Sequence, residues 1–442
     1  MIMTDDQNVS SLSVLPRTQQ LLASAGTTFS NNFVSYPLCC PSRATYLTGQ
    51  YPHNHGVLGN SPPDGGYAKL RGNETVPVWL SRAGYQTAHI GKYLNGYGTQ
   101  NPTEVPPGWR DWHGLVDPTT YRMWGYTINH NGTTRTYGQQ DVEDPALYQT
   151  DVLSALATNY IDSKAPGTQP FLLSFAPLAP HAEAGWASTN GNRNPRPAPR
   201  HRGMFGDAPL PRPPSFDEAD VSDKPAQVQA LPRLSAAEIA RITKDYRSRL
   251  EALQAVDDAV AAIVGRLAQH GELANTLIIF TSDNGWLQGE HRIPRGKVYA
   301  YEESSRVPLI VRGPGVPAGA TNAAFVSNVD LAATILDAAD AVPGITIDGR
   351  SLIPIAQDPG SVAGRQLLIE TGPKPSGNQW YAAVRGGRWA YVEHSTGERE
   401  LYDQQLDPYQ LVSRHNDPAY ATVRAALAAK LHELQLCAGA TC

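Results

Sequence analysis

The chain has 442 residues, 41% of them hydrophobic and 17% charged, with a formal net charge of −5. That length can bury a large core, and the balance is that of an ordinary globular protein, which excludes a disordered chain and leaves no polybasic stretch for nucleic acid. No apolar run of about eighteen residues occurs, so no membrane-spanning helix is expected.

Met1 to Thr4 reads as the end of a buried strand, and Asp5-Asp6 follows at once. So abrupt a start leads us to expect a further segment upstream, although no signal peptide is visible. Next, Cys39-Cys40-Pro41-Ser42-Arg43 puts a thiol, a helix-starting proline and an arginine within five positions. Pro41 suits a first helical turn, where its missing N–H costs nothing, so a short helix is predicted over Ser42 to Gly49 with Cys39 just before it. There the thiol faces unpaired backbone N–H groups. These donors, the helix dipole and the Arg43 fork attract an anion, so the implied chemistry is a reactive group held against an oxyanion. The alternative is a pair of buried thiols or half of a disulfide.

Thr87 to Ile90, Phe171 to Phe175, Thr276 to Thr281 and Val307 to Val311 are apolar, β-rich runs alternating with helical patterns. They predict an α/β fold with helices on both faces of a sheet. Residues 190–232 shift to Pro and Arg and read as a surface insertion, a mobile loop by default or else part of a substrate pocket. A long helix is predicted from Ser235, which forms a capping box with Glu238. Ile239, Ile242, Tyr246, Leu250, Leu253, Val260, Ile263 and Leu267 form its apolar stripe, and Gly271 stops it. After Pro359-Gly360 come short strands at Tyr381 to Arg385 and Trp389 to Glu393, then a helix from Tyr420 to Leu436. The division expected is residues 1–360 and a smaller C-terminal subdomain, 361–442. Of four cysteines, Cys437 and Cys442 are close enough for a small disulfide, which would imply an oxidising compartment, or form a pair of free thiols.

The polar residues fall at strand ends. Asp5-Asp6, Lys92, His181 and Asp283-Asn284 each follow a predicted strand, and ligands of open α/β sheets bind outside the carboxyl ends, so one crevice can gather all four segments. Asp5, Asp6, Asp283 and Asn284 offer hard oxygens, which favours Ca²⁺, with Mg²⁺ second, over zinc. Singly, Asp283-Asn284-Gly285 also reads as a turn and Asp5-Asp6 as a solvated loop.

Cys39-x-Pro41-Ser42-Arg43, continued as Ala44-Thr45-Tyr46-Leu47-Thr48-Gly49, resembles the signature of the type I sulfatases. TDDQ at 4–7, CCPSRATYLTGQYPHNHG at 39–56, GKYLN at 91–95, APH at 179–181, TSDNG at 281–285 and GKVYAYEESSRVPLIVRGPG at 296–315 stand in that family's order. LCCPSRATYLTGQYPHNHG with GKYLNGYG is most similar to its N-acetylglucosamine-6-sulfatase branch. The resemblance implies an alkaline-phosphatase-like large mixed sheet flanked by helices, with a smaller C-terminal antiparallel sheet. It implies that a formylglycine-generating enzyme converts Cys39 to formylglycine, and that Asp5, Asp6, Asp283, Asn284 and residue 39 bind calcium. Arg43, Lys92, His181 and Lys297 would surround the sulfate. The expected substrate is a sulfated small molecule or glycan, and the expected compartment is secreted, periplasmic or lysosome-like.

On that likeness one hydroxyl of the hydrated aldehyde attacks sulfur, the cations offset charge on the nonbridging oxygens, and His181 protonates the departing alcohol. One departure stands out: Leu94 occupies the place where many sulfatases carry the histidine of GKWH. The base of the second half-reaction is thus unassigned, with His53 and His55 candidates by proximity or else structural. Trp380 and Arg385 could meet a sugar or serve packing. The rivals are a phosphate or phosphonate ester hydrolase on the same fold and a noncatalytic glycan-binding protein retaining a Cys39 thiol.

Overall fold

A computed structural model describes residues 1–184, 194–372 and 380–442. The first strand, β1 (Ile2–Thr4), is short and wholly buried. It is followed along the chain by β2 (Thr27–Phe33), β3 (Gln86–Gly91), β4 (Asp111–Leu115), β5 (Tyr126–His130) and β6 (Thr133–Tyr137). Then come β7 (Phe171–Ala176), β8 (Ile278–Ser282), β9 (Leu309–Arg312) and β10 (Ala320–Ser327). Among the described residues these ten strands make one mixed sheet in the order β10-β2-β9-β8-β1-β7-β3-β4-β5-β6. Its centre, β8-β1-β7-β3, is parallel throughout, whereas β9, β5 and β6 run antiparallel to their neighbours.

Alternation along the central strands sends side chains into two cores. Ile2, Ile278, Phe280, Leu173 and Phe175 enter one; Met3, Ile279 and Leu172 enter the other. The helix α1 (Cys39–Thr48) and α2 (Gln149–Lys164) lie on opposite faces, Ala44 and Leu47 packing in the second core and Leu153, Ala157 and Ile161 in the first. The long α3 (Ala236–Gln269) lies beside α2 and buries Leu253, Val256, Val260, Ile263 and Leu267. Each such aliphatic side chain contributes roughly 1.5–3 kcal/mol of burial. Its predicted capping box is present: Ser235 Oγ accepts from Glu238 N at 3.2 Å and Glu238 Oε2 accepts from Ser235 N at 2.9 Å. α4 (Asp330–Ala338) covers the second core through Leu331, Ala332 and Ile335.

A separate antiparallel sheet follows, β11 (Leu367–Glu370), β12 (Tyr381–Gly386), β13 (Trp389–His394) and β14 (Arg399–Asp403). α5 (Ala421–Leu434) packs Leu427, Leu431 and Leu434 on Leu368, Val384, Tyr391 and Leu401, and a Cys437–Cys442 disulfide closes the chain. Among the described residues no helix is long and apolar enough to cross a membrane.

Two expectations need correction, and one open alternative, that for Arg385, is decided in favour of packing. α1 begins at Cys39, not Ser42, because Pro41 falls in the first turn where no helical N–H is required. Gly49, at φ 67°, ends it as a left-handed cap. The Pro/Arg stretch is not loose where it is described, residues 190–193 lying outside the described residues. Arg196 forks onto Glu183 at 2.6 and 2.8 Å, His201 meets Asp258 at 2.8 Å, and Lys224 donates to Leu411 O at 2.8 Å. Arg385 is spent on packing: its Nε donates to Glu302 at 2.7 Å and its guanidinium lies about 5 Å from the Phe33 and Phe325 rings.

Candidate active site

Because β8, β1, β7 and β3 are adjacent and parallel, their carboxyl ends deliver Asp283-Asn284, Asp5-Asp6, His181 and Lys92 to one place. Gly91, at φ 119°, lets β3 pass so close to β7 that a β-carbon would collide with the Ala176 carbonyl. Lys92 N then donates to that carbonyl at 2.8 Å, which sends its side chain over Asp5. α1 enters from the side and brings Cys39 and Arg43.

Asp5, Asp6, Cys39, Arg43, Lys92, His181, Asp283, Asn284 and Lys297 all meet here. The Lys92 ammonium pairs with Asp5, and Arg43 donates to Asp283 Oδ2 at 2.8 Å and reaches Asp5 at 3.3 Å. Arg43 also donates to Lys92 O at 2.7 Å, locking α1 to β3. Cys39 Sγ lies 3.5 Å from Asp5 Oδ1 and 2.8 Å from Lys297 Nζ. Lys297 also pairs with Asp6, and Asn284 Nδ2 donates to Asp6 Oδ1 at 2.6 Å. Asp6 N donates to Asp283 Oδ1 at 3.2 Å, and His181 Nε2 is 3.6 Å from Asp6 Oδ2. Since His181 Nδ1 is 2.7 Å from Ala182 O, that nitrogen carries the hydrogen and Nε2 is the atom turned to the cluster.

Electrostatics follow from this crowding. Burial alone would raise the Asp5 carboxyl, but Lys92, His181, Arg43 and Lys297 outweigh it and hold Asp5 well below the usual range. Asp283 goes the other way, raised by burial and by Asp5 despite Arg43. Burial and the Asp5 charge push the Cys39 thiol up to about 12, so an unmodified Cys39 is protonated at neutral pH and a weak nucleophile.

The donor set suits a hard divalent cation. Ligand atoms of Asp5, Asp6, Cys39 and His181 lie within 4.8 Å of one another, and Asp6 Oδ2 is buried without a hydrogen-bond partner. Asp283 and Asn284 border the same group, and turning the Asn284 amide over would present its oxygen instead of its nitrogen.

Other side chains at the site were not singled out from sequence. The Tyr121 ring stands 4.9 Å from Lys92 Nζ and 5.1 Å from the His181 ring, and its hydroxyl accepts from Asn95 Nδ2 at 2.6 Å. Trp286 lies under both Lys297 and Arg249, at 6.0 and 5.0 Å. Asn95 was legible only as part of GKYLN; nothing in the pattern around Tyr121 marks it. Leu94 is buried in the second core, and His53 and His55 are structural. His53 bridges Glu370 and Cys437 O at 2.7 and 2.9 Å, and His55 lies between Thr45 Oγ1 and Val57 N at 3.1 and 3.0 Å.

The sequence and the fold have counterparts in known proteins. The Sulfatase family model matches residues 1–341, and the model for the N-sulphoglucosamine sulphohydrolase C-terminal region matches residues 289–436. The chain is similar to an arylsulfatase of Volvox carteri, 34% identical over 100% of this chain and 75% of that protein. It is also similar to the N-acetylglucosamine-6-sulfatase of Homo sapiens, 33% identical over 100% of this chain and 85% of that one. A solved structure of a protein in complex with its substrate D-glucosamine-2-N,6-O-disulfate superposes with a TM-score of 0.83 at 25% identity, covering 98% of this chain and 96% of that one. With the mixed sheet, the second antiparallel sheet and the ordered motifs in place, the chain belongs to the sulfatase family, enzymes that hydrolyse sulfate esters.

Proposed function

We propose that this enzyme hydrolyses sulfate monoesters of a carbohydrate, with residue 39 oxidised to formylglycine and a calcium ion held by Asp5, Asp6, Asp283, Asn284 and residue 39. The observation that carries this reading is the ring of cations, Arg43, Lys92 and Lys297, with His181 beside them, closed around Cys39 and a carboxylate cluster. A hydrated aldehyde supplies a hydroxyl nucleophile where a thiol with its pKa near 12 does not, and a bound calcium supplies positive charge for that oxygen and for the sulfate.

The chain's own groups do the rest. Lys92 and Lys297 face the space beside residue 39 where the nonbridging sulfate oxygens belong, and Arg43 fixes the carboxylates beneath. With Nδ1–H donated to Ala182 O, His181 serves as the acid only in its doubly protonated form, which burial disfavours and Asp6 and Asp5 favour; that form delivers the Nε2 proton to the leaving alkoxide. Tyr121, partly exposed beside His181, offers an aromatic face to the departing sugar. Residues 1–360 carry this chemistry, and residues 361–442 hold the segment that follows α1 through the Glu370 contact with His53. The sugar assignment rests on the similarity to N-acetylglucosamine-6-sulfatases, and the Cys437–Cys442 disulfide supports maturation in a secreted, periplasmic or lysosome-like compartment.

Two measurements on one preparation test this. Peptide mass spectrometry across residue 39 should find aldehyde in place of thiol. Turnover of N-acetylglucosamine 6-sulfate should exceed that of the matching 6-phosphate by about 10-fold or more. Active protein containing only thiol at residue 39, or a preference for phosphate, would overturn the reading.

A further inference from the structure

Arg249 lies midway along α3, in line with Ile242, Tyr246 and Leu253 on the face of the apolar stripe, where a guanidinium is out of pattern. It is 4% exposed, and burying a guanidinium costs several kcal/mol unless its donors are used. Those donors go to two backbone carbonyls on different segments. Nη1 donates to Pro180 O at 3.1 Å and Nη2 donates to Asp6 O. One planar fork therefore ties the turn after β1 to the turn after β7. The residues it grips are Asp6 itself and the one immediately before His181.

The grip on Asp6 coincides with strain. Asp6 has φ 65°, a left-handed conformation that costs a non-glycine residue about 1–2 kcal/mol and persists only where its surroundings enforce it. That conformation turns the Asp6 carboxylate towards Lys297, Asn284 and His181 while its carbonyl points back to α3. The face of Trp286 lies 5.0 Å from the guanidinium, and Asp245, one turn earlier on α3, is buried with Oδ1 lacking a hydrogen-bond partner. The guanidinium is thus held by an aromatic plane with a countercharge nearby, and touches none of the sulfate-facing groups.

We infer that Arg249 is a positioning residue, which sets the separation and orientation of the Asp6 carboxylate and the His181 imidazole by clamping the backbone carbonyls of Asp6 and Pro180. The inference rests on the proposed reading of Asp6 as a calcium ligand. A lysine at this place reaches one carbonyl but not both, so it keeps part of the effect. Arg247 provides the matched control, since it lies on the same helix and donates to a carbonyl away from the site, Ala208 O at 2.9 Å.

The test compares mature wild type with Arg249→Lys, Arg249→Met and Arg247→Met. It reads calcium affinity by titration calorimetry with calcium chloride, kcat and KM on aryl sulfates of graded leaving-group pKa, and the melting temperature without metal. Arg249→Met should weaken calcium binding about 10–100-fold, the range for groups that orient a metal ligand, with Arg249→Lys between it and wild type. Both should lower kcat more than they raise KM, most for poor leaving groups, because His181 is displaced. Arg247→Met should move the melting temperature alone. If the Arg249 variants bind calcium as wild type does and keep its leaving-group dependence, Arg249 is merely structural and the inference fails. Should Arg249→Met not fold, Arg249→Lys is judged by the same readouts. A wild type that binds no calcium overturns the ligand assignment of Asp6 and this inference together, a result distinct from variants that match a calcium-binding wild type.

Discussion

Lys297 and Cys39, 258 positions apart, meet with Nζ 2.8 Å from Sγ. The same ammonium pairs with Asp6 and lies 3.5 Å from Asn284 Oδ1, so one flexible side chain from the loop after β8 joins the thiol of α1 to both carboxylate-bearing turns.

Replacing that ammonium should be costly to chemistry and cheap to folding. Lys297→Met keeps the length and removes the charge, leaving Asp6 to Asn284 and His181. We expect kcat on a sulfate ester to fall about 10²–10³-fold, as when one preorganised donor is removed from a developing anion. A steady-state assay beside a thermal melt checks this. A loss under threefold would show that Lys297 does not face the substrate.

His181 should matter in proportion to the leaving group. His181→Ala should reduce turnover of alkyl sulfates about 10²–10⁴-fold and of nitrophenyl sulfate far less, since an activated phenolate departs without a proton. Plotting log kcat against leaving-group pKa measures it, and parallel plots for wild type and variant would remove His181 from the acid role.

Stability should decline in mild acid through two buried histidines that are not members of the carboxylate cluster. Burial pushes both His55 and His89 down to about 3 from 6.5, helped by His53 and Arg71 beside the first and by Arg43 near the second. Both are neutral in the folded chain, whereas the unfolded chain takes up protons below 6.5. Their contribution is intact above that pH and lost on descending towards 3. Each costs about 1.4 kcal/mol per pH unit across that window. Denaturant melts of His55→Gln between pH 6 and 4 should show a shallower slope than wild type by about one proton; equal slopes would count against the assignment.

Gly91→Ala should separate β3 from β7. The new methyl meets the Ala176 carbonyl, and φ 119° is strained for any side chain. A loss on the order of 2–4 kcal/mol is expected, together with reduced kcat, because the Lys92 backbone bond to Ala176 O is what aims the ammonium at Asp5. Chemical denaturation and kinetics together test it; unchanged kcat in a folded variant would mean that Lys92 is aimed by other contacts.

The parts of the site that reside at ends of apolar strands were readable, because β1, β3, β7 and β8 are buried on both faces and appear as short hydrophobic runs closed by a polar residue. Several of the strands that escaped notice are polar, although β11, Leu-Leu-Ile-Glu, is apolar and was missed as well. β2 reads Thr-Thr-Phe-Ser-Asn-Asn-Phe and spends Asn31 and Asn32 on backbone carbonyls of neighbouring segments, while most of β6 is exposed. Arg249 was missed for a different reason: it interrupts the apolar stripe between Tyr246 and Leu253, which signals a buried charge, but the pattern does not say which turns of other elements its donors reach. The start of α1 was misplaced by three residues because Pro41 is compatible with several positions in a first turn.

β1 sits between β7 and β8, so this strand lacks its second neighbour until Phe280, far along the chain, is available to lie beside Ile2. Pairing over such a separation has to wait until most of the chain has been made, and until then the centre of the sheet is unfinished. Once the sheet closes, Cys39 is 1% exposed. Any protein that must handle that side chain therefore has to act during synthesis or translocation, before the chain has buried its own reactive residue.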